Sequence, residues 1–307
     1  MNILSLFDGM SCGQLALQRV GITNYRYYAS EIDKYAIQVT QHNFPETVQL
    51  GDVKAVNADS LPKIDLLLAG SPCQGFSFAG KQLAFDDPRS QLFFEFVRIL
   101  RECKPKYFIL ENVRMKREHL DVITEHVGVE PILINSALVS AQNRQRYYWT
   151  NIPNVTQPAD KGLVLLDIIE NDDVVDRGKA HCLDANYYKG GNLNSYFNKH
   201  RRQLVFCAKY DRKNGVQKVI NKAYCLNASD YRGLNRNQAQ TAVCRQVASA
   251  IDIDEGIMYR KLTPVECERL QTVPDNYTAC VSNTQRYKML GNGWTVDVIA
   301  HILQGIR

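Results

Sequence analysis

Apolar and polar positions change rhythm twice along this 307-residue chain. Up to about residue 150, short apolar runs alternate with stretches of helical spacing. Ile3-Leu4-Ser5-Leu6-Phe7 predicts a buried strand that ends in a glycine-bearing turn from Asp8 to Gly13. Leu15, Leu17 and Val20 predict a short helix closed by Gly21. Tyr25 to Ser30 predicts a second strand, and Lys34 to Gln41 a second helix; a third strand ends at Gly51-Asp52. Asp65-Leu66-Leu67-Leu68-Ala69 is apolar at four successive positions, as in a strand covered on both faces. A helix is predicted from Gln91 to Leu100 and another buried strand at Tyr107-Phe108-Ile109-Leu110. Such alternation predicts an α/β fold with a doubly wound, mostly parallel sheet.

From about Asn151 the pattern breaks. Residues 171–250 are rich in Asn, Gly, Tyr, Lys and Arg and support short strands at best. Helical spacing returns at Thr263-Pro264-Val265-Glu266, with Thr263 as N-cap and Pro264 at the first helical position, and again from Thr295 to Leu303. The chain therefore reads as one α/β domain, residues 1–150 and 259–307, interrupted by a smaller domain of irregular and β structure at 151–258. The insertion contains an echo. Lys179-Ala180-His181-Cys182-Leu183-Asp184-Ala185 and Tyr188-Lys189-Gly190 return as Lys222-Ala223-Tyr224-Cys225-Leu226-Asn227-Ala228 and Tyr231-Arg232-Gly233. Two loops presented side by side are the expectation from this echo.

Charge sharpens that division. The net charge of +5 is too mild to mark a nucleic-acid binder. Residues 178–250, however, hold 13 Lys and Arg against 3 Asp and Glu, whereas the rest holds 24 against 29. This basic stretch also carries Tyr187, Tyr188, Tyr196, Phe197, Phe206, Tyr210, Tyr224 and Tyr231, the mixture that phosphate contact and groove reading require. The nine cysteines include no Cys-x-x-Cys pair, so neither a zinc site nor a disulfide framework is expected, and a reducing compartment is. No apolar run approaches the roughly 20 residues that span a bilayer, and the N-terminus lacks the pattern of a signal peptide. A cytoplasmic location and no membrane partner are expected.

Candidate chemistry sits at predicted strand ends. The turn Phe7-Asp8-Gly9-x-x-x-Gly13 opens a helix, where a ligand can approach the backbone. Glu31 follows the next strand and could accept bonds from ribose hydroxyls, and Asp52 could meet an adenine amino group. A full Gly-x-Gly-x-x-Gly is missing, which disfavours a dinucleotide and suits an adenosyl ligand without a pyrophosphate. Cys73, in Gly70-Ser71-Pro72-Cys73-Gln74-Gly75-Phe76-Ser77, follows the most apolar strand, a position suited to a nucleophile. Glu111, in Leu110-Glu111-Asn112-Val113, is either a cap or salt-bridge carboxylate or, near a thiol, a general acid. On an extended segment Gln142, Arg144 and Arg146 point to one face, where two guanidiniums make a donor array for a carbonyl or phosphate.

Taken in order, these segments resemble the DNA (cytosine-5)-methyltransferase family. Phe7-Asp8-Gly9 is similar to its first cofactor motif and Ser71-Pro72-Cys73-Gln74 to its nucleophile motif. Glu111-Asn112-Val113 and Gln142-x-Arg144-x-Arg146 resemble the next two. Arg260 to Gln271 resembles the structural motif after the recognition region, and Gly291-Asn292-Gly293 the last, cofactor-contacting motif. The match covers about residues 1–150 and 259–305. The first motif is poorer in glycine than usual, and Ser71-Pro72 stands where Pro-Pro is common. These departures, with Trp294 after Gly293, resemble the eukaryotic de novo enzymes, while Arg260 to Gln271 and the compact length look bacterial or viral.

The resemblance implies transfer of a methyl group from S-adenosylmethionine to C5 of a flipped-out cytosine in a short sequence of double-stranded DNA. Cys73 would add to C6, Glu111 contact N3 and the exocyclic amine, Arg146 hold O2, and Arg144 support the thiolate or its loop. S-adenosylmethionine, leaving as S-adenosylhomocysteine without a metal, would be held by Phe7, Asp8, Gly9 and Gly13, by Glu31, Ile32, Asp52 and Val53, by Gly70, Pro72 and Leu92, and by Asn292, Gly293 and Trp294. DNA contacts are expected from Gln74, Ser77, Arg89 and Gln142, from Arg201 and Arg202, and from Ser229, Tyr231, Arg232, Asn235 and Arg236. A monomer is expected, with a cognate restriction endonuclease as functional partner. The alternatives are a tRNA cytosine-5 methyltransferase and a catalytically inactive DNA-binding homologue.

Overall fold

The computed structural model describes residues 1–71, 91–170, 173, 175–190, 193–206, 210–211, 215–216 and 259–306. Strand and helix alternate as the apolar rhythm predicts: β1 (Asn2–Leu6), α1 (Cys12–Arg19), β2 (Arg26–Ser30), α2 (Lys34–Asn43), β3 (Val48–Gln49), β4 (Leu66–Gly70), α3 (Gln91–Cys103) and β5 (Tyr107–Val113). Then follow α4 (Arg117–Val127), β6 (Ile132–Asn135) and β7 (Gln145–Thr150). These strands form one seven-stranded sheet in the order β3-β2-β1-β4-β5-β7-β6. Only β7 runs against its neighbours β5 and β6; the other pairings are parallel.

Period-two alternation sends successive strand residues to opposite faces. Leu66 and Leu68 join one core with Leu15, Leu17 and Val39, while Leu67 and Ala69 join the other with Phe93, Phe96, Leu110, Ile123 and Trp149. Both faces of β4 are thus covered, which is why it reads as a continuous apolar run. The chain returns at α6 (Pro264–Leu270), α7 (Asn283–Asn292) and α8 (Val296–Leu303), all contributing to the first core, with α8 packed on α1. Among the described residues no helix is long and apolar enough to cross a membrane.

The change of core falls later than the change of composition. Leu165, Ile168, Ala180, Leu183 and Tyr187, all beyond Asn151, are buried in the first core. A separate small core holds Tyr196, Leu204 and Phe206. It is built by α5 (Leu193–Lys199) and by β8 (Leu204–Phe206), which pairs antiparallel with β11 (Tyr259–Lys261). Between them β9 (Tyr210–Asp211) pairs with β10 (Gly215–Val216). The first echoed segment is therefore not a presented loop. Lys179 Nζ donates to the carbonyls of Ala137, at 2.6 Å, and of Ser140 and Leu163, and Ala180 bridges to Gln142. The second echoed segment lies outside the described residues.

Candidate active site

The strand order reverses between β1 and β4, so the crevice at their carboxyl ends is where an open α/β sheet receives ligands. On the β1 side, Phe7, Gly9 and Ser11 all have positive φ, at 57°, 61° and 59°. Glycine suits such a conformation, and at Gly9 the turned backbone N–H donates to Glu31 Oε2 at 2.7 Å. Glu31 Oε1 accepts from the backbone N–H groups of Ile32 and Asp33, each at 2.8 Å. The acid after β2 is thus held facing the turn after β1. Beside it Ile32 is 74% exposed, an unusual setting for a large apolar side chain and one that a flat ring can cover.

Asp8 points the other way. It accepts from Tyr27 Oη at 2.7 Å and from the Ser11 hydroxyl, and burial pushes its carboxyl up to about 6. Gly13 has a packing reason: a Cβ there would lie 2.7 Å from Tyr27 Oη and 2.8 Å from Leu68 Cδ1. Asp52 is exposed and caps the short 3-10 turn Val53–Ala55 through a bond from Lys54 N at 3.0 Å. Val53 is buried, with Phe7 and Leu92 packed against the same second core. Asn292 is exposed at the end of α7.

On the β4 side lies the denser constellation. Glu111 sits within β5, not after it, because β7 supplies antiparallel partners as far as Val113. Its carboxylate is held at both oxygens: Arg146 Nε lies 2.9 Å from Oε1, and Trp294 Nε1 donates to Oε2 at 3.1 Å. Asn112 Nδ2 donates to Ser71 Oγ at 3.0 Å, tying β5 to the segment that leads toward Cys73. Pro72, Cys73, Gln74, Ser77 and Arg89 lie outside the described residues.

Arg144, Arg146 and Gln142 do not share one face. The extended stretch begins only at Gln145, so Gln142 and Arg144, which precede β7, turn inward. Gln142 is fully buried; its Nε2 donates to Leu270 O at 2.7 Å and to Gln271 Oε1, and its Oε1 accepts from Leu183 N. The DNA contact expected of Gln142 gives way to this bracing, since a side chain with no exposed surface has none to offer to DNA. Arg144 donates to Leu183 O and Gly293 O, each at 2.9 Å, and to Gly291 O. It clamps the insertion to the returning helices. It also reaches Cys182 Sγ at 3.4 Å, a thiol that no local motif marks. Burial works to raise that thiol, but the Arg144 and Arg146 guanidiniums outweigh it and hold it below the usual thiol range. Of the arginines expected to contact DNA, two are among the described residues: Arg201 is exposed, whereas Arg202 Nη1 donates inward to Gly190 O at 2.9 Å. Ser229, Tyr231, Arg232, Asn235 and Arg236 lie outside the described residues.

The family model for C-5 cytosine-specific DNA methylases matches residues 1–307. The chain belongs to this family. The orphan methyltransferase M.SPRI of Bacillus phage SPR is 29% identical, with 99% of this chain and 97% of the relative covered. The type II methyltransferase M.HpaII of Haemophilus parainfluenzae is 30% identical, covering 97% of this chain and 87% of the relative. Among solved structures, the Entamoeba histolytica methyltransferase EhMeth has a TM-score of 0.68 at 17% identity, covering 99% and 97% of the two chains, a likeness of fold. The family is S-adenosylmethionine-dependent.

In this C-5 cytosine methylase the segment Arg260 to Gln271 is structural, and its residues show why. Thr263 Oγ1 accepts from Glu266 N at 3.1 Å while Glu266 Oε2 accepts from Thr263 N at 2.8 Å, a reciprocal cap with Pro264 at the first position. Glu266, fully buried, is neutralised by Arg260 at 2.7 Å, and Arg260 also meets Asp173 at 2.8 Å. Gln271 Nε2 then donates to Leu290 O at 2.6 Å and to Gly293 O at 3.2 Å, fixing the backbone before Trp294.

Proposed function

We propose that this methylase acts on double-stranded DNA, transferring methyl groups to C5 of cytosine through a covalent bond between Cys73 and C6. The observation that carries the reading is the doubly held Glu111 carboxylate, with Arg146 at its side, at the strand ends where Ser71 leads toward Cys73. S-adenosylmethionine, when bound, supplies the electrophilic methyl; the Gly9 turn, Glu31, Ile32 and Asp52 are the residues that would hold it. Cytosine C5 is a poor nucleophile. Addition of the Cys73 thiolate at C6 makes C5 enamine-like, and Glu111 at N3 and the exocyclic amine, with Arg146 at O2, steadies the charge that builds on the ring. Loss of the C5 proton and expulsion of Cys73 restore aromaticity. C5 chemistry of this kind requires the base to leave the stack, at a cost of a few kcal/mol. The basic stretch at 178–250, in which Arg201 is exposed, supports contact with DNA phosphates. A monomer with a cognate endonuclease as functional partner completes the proposal.

The test is expression in a host that lacks cytosine methylation, followed by bisulfite sequencing of host DNA. Protected cytosines confined to one short sequence are expected. Unprotected DNA together with methylated cytosine in host tRNA would replace the DNA reading with an RNA one.

A further inference from the structure

Glu111 is gripped by two different kinds of donor. Arg146 is charged and lies on the neighbouring strand β7. Trp294 is neutral and arrives from the far end of the chain, between α7 and α8. Its indole lies on the backbone of Gly70, where a Cβ would come within 2.7 Å of Nε1 and 3.2 Å of Cε2. Gly70 and Glu111 are directly paired across β4 and β5. The bare glycine at the end of β4 therefore makes the floor on which the ring lies to reach the carboxylate on the next strand. An indole N–H only donates, so it can orient a carboxylate but cannot take its proton.

We propose that Trp294 is a positioning residue for the reaction. It fixes Glu111 Oε2, with Gly70 as floor, and so sets the orientation in which the carboxylate, shared with Arg146, meets the base. This deepens the cytosine-methylation reading and rests on it. It also assigns Trp294 to the carboxylate in addition to any contact with cofactor.

Two measurements test it. The chain has two tryptophans, so an isotope-labelled indole spectrum contains two resonances, and Trp149, bonded to Thr124 Oγ1 at 3.0 Å, serves as the internal control. Glu111→Gln is expected to move the Trp294 resonance and leave that of Trp149 in place. A Trp294 resonance indifferent to Glu111→Gln overturns the proposal, whatever the substrate proves to be. In single-turnover methylation at saturating cofactor and DNA, Trp294→Phe keeps the ring and removes the N–H. It is expected to slow transfer at that saturation roughly tenfold to hundredfold. Gly70→Ala, which displaces the indole without altering it, is expected to slow the saturated step likewise. Full recovery of the rate when cofactor is raised to saturation would make Trp294 a wall of the cofactor site only and sink the idea. If the parent methylates no cytosine at all, the functional reading falls, while the indole resonance still decides the contact.

Discussion

Arg146 Nε lies 2.9 Å from Glu111 Oε1, an ion pair between the neighbouring strands β7 and β5. Side-chain exposures of 15% and 10% leave little water to compete for either group. Replacing the carboxylate by an amide keeps the shape and removes the charge. Glu111→Gln is expected to lower the single-turnover rate by about 10² or more with little change in DNA affinity. Intact single-turnover chemistry combined with a large binding defect would make Glu111 a structural residue.

Cys73→Ala removes the proposed nucleophile without touching the Gly9 turn or Glu31. Calorimetry with S-adenosylhomocysteine is expected to show parent-like affinity, while methyl transfer disappears. Ordinary turnover by this variant would rule out a covalent route through Cys73.

Gly13 is enclosed by Tyr27 and Leu68, at 2.7 Å and 2.8 Å from where a Cβ would stand. Gly13→Ala forces α1 away from the sheet or the Tyr27 ring aside. A loss of about 1–3 kcal/mol in denaturant unfolding is expected, as for other overpacked cores. An unchanged midpoint would mean that the ring gives way freely.

Asp8 offers a pH test whose sign is fixed. Burial raises its folded value to about 6, above that of an unfolded aspartate, so the folded chain holds the proton more tightly. Its contribution to stability is then fullest below the unfolded value and is lost as pH rises through about 6. Asp8→Asn, which cannot ionise, is expected to gain in melting temperature relative to the parent as pH goes from 4 to 7. A difference that stays flat over that range, or shrinks, contradicts the assignment.

The basic stretch predicts strong salt dependence. DNA affinity measured by fluorescence anisotropy is expected to fall by on the order of a hundredfold between 50 and 200 mM salt, as several phosphate contacts require. A flat profile would move the DNA face elsewhere.

What the chain discloses before folding follows from the range of the forces involved. The β4 run Leu66 to Ala69, the Thr263-Pro264-x-Glu266 cap and the Gly9 turn were legible because each is decided within a few residues. Glu111 and Arg146 were legible as chemistry, but their pairing was not, since it depends on β7 running antiparallel beside β5. Gln142 shows the limit most clearly. Period-two spacing puts it on one face with Arg144 and Arg146, yet strand geometry starts three residues later, and its amide is buried against Leu270 and Gln271. No local signal announces a partner 128 residues away. Trp294 is similar: its place after Gly293 suggested cofactor, and only the sheet brings it to Glu111.

The Lys179 ammonium, gathered by the carbonyls of Ala137, Ser140 and Leu163, has a consequence for recombination between relatives. Composition suggests that a specificity module could be exchanged at residue 151. The packing sets the seam elsewhere, because the chain as far as the turn Tyr187–Lys189 belongs to the catalytic frame. Joints placed just after Phe206 and just before Tyr259 leave the β8–β11 ladder whole, and keep Lys179, Arg144 and the small core of Tyr196, Leu204 and Phe206 with the scaffold. An exchange between those joints replaces about fifty residues on a retained stump, not the whole compositional insertion.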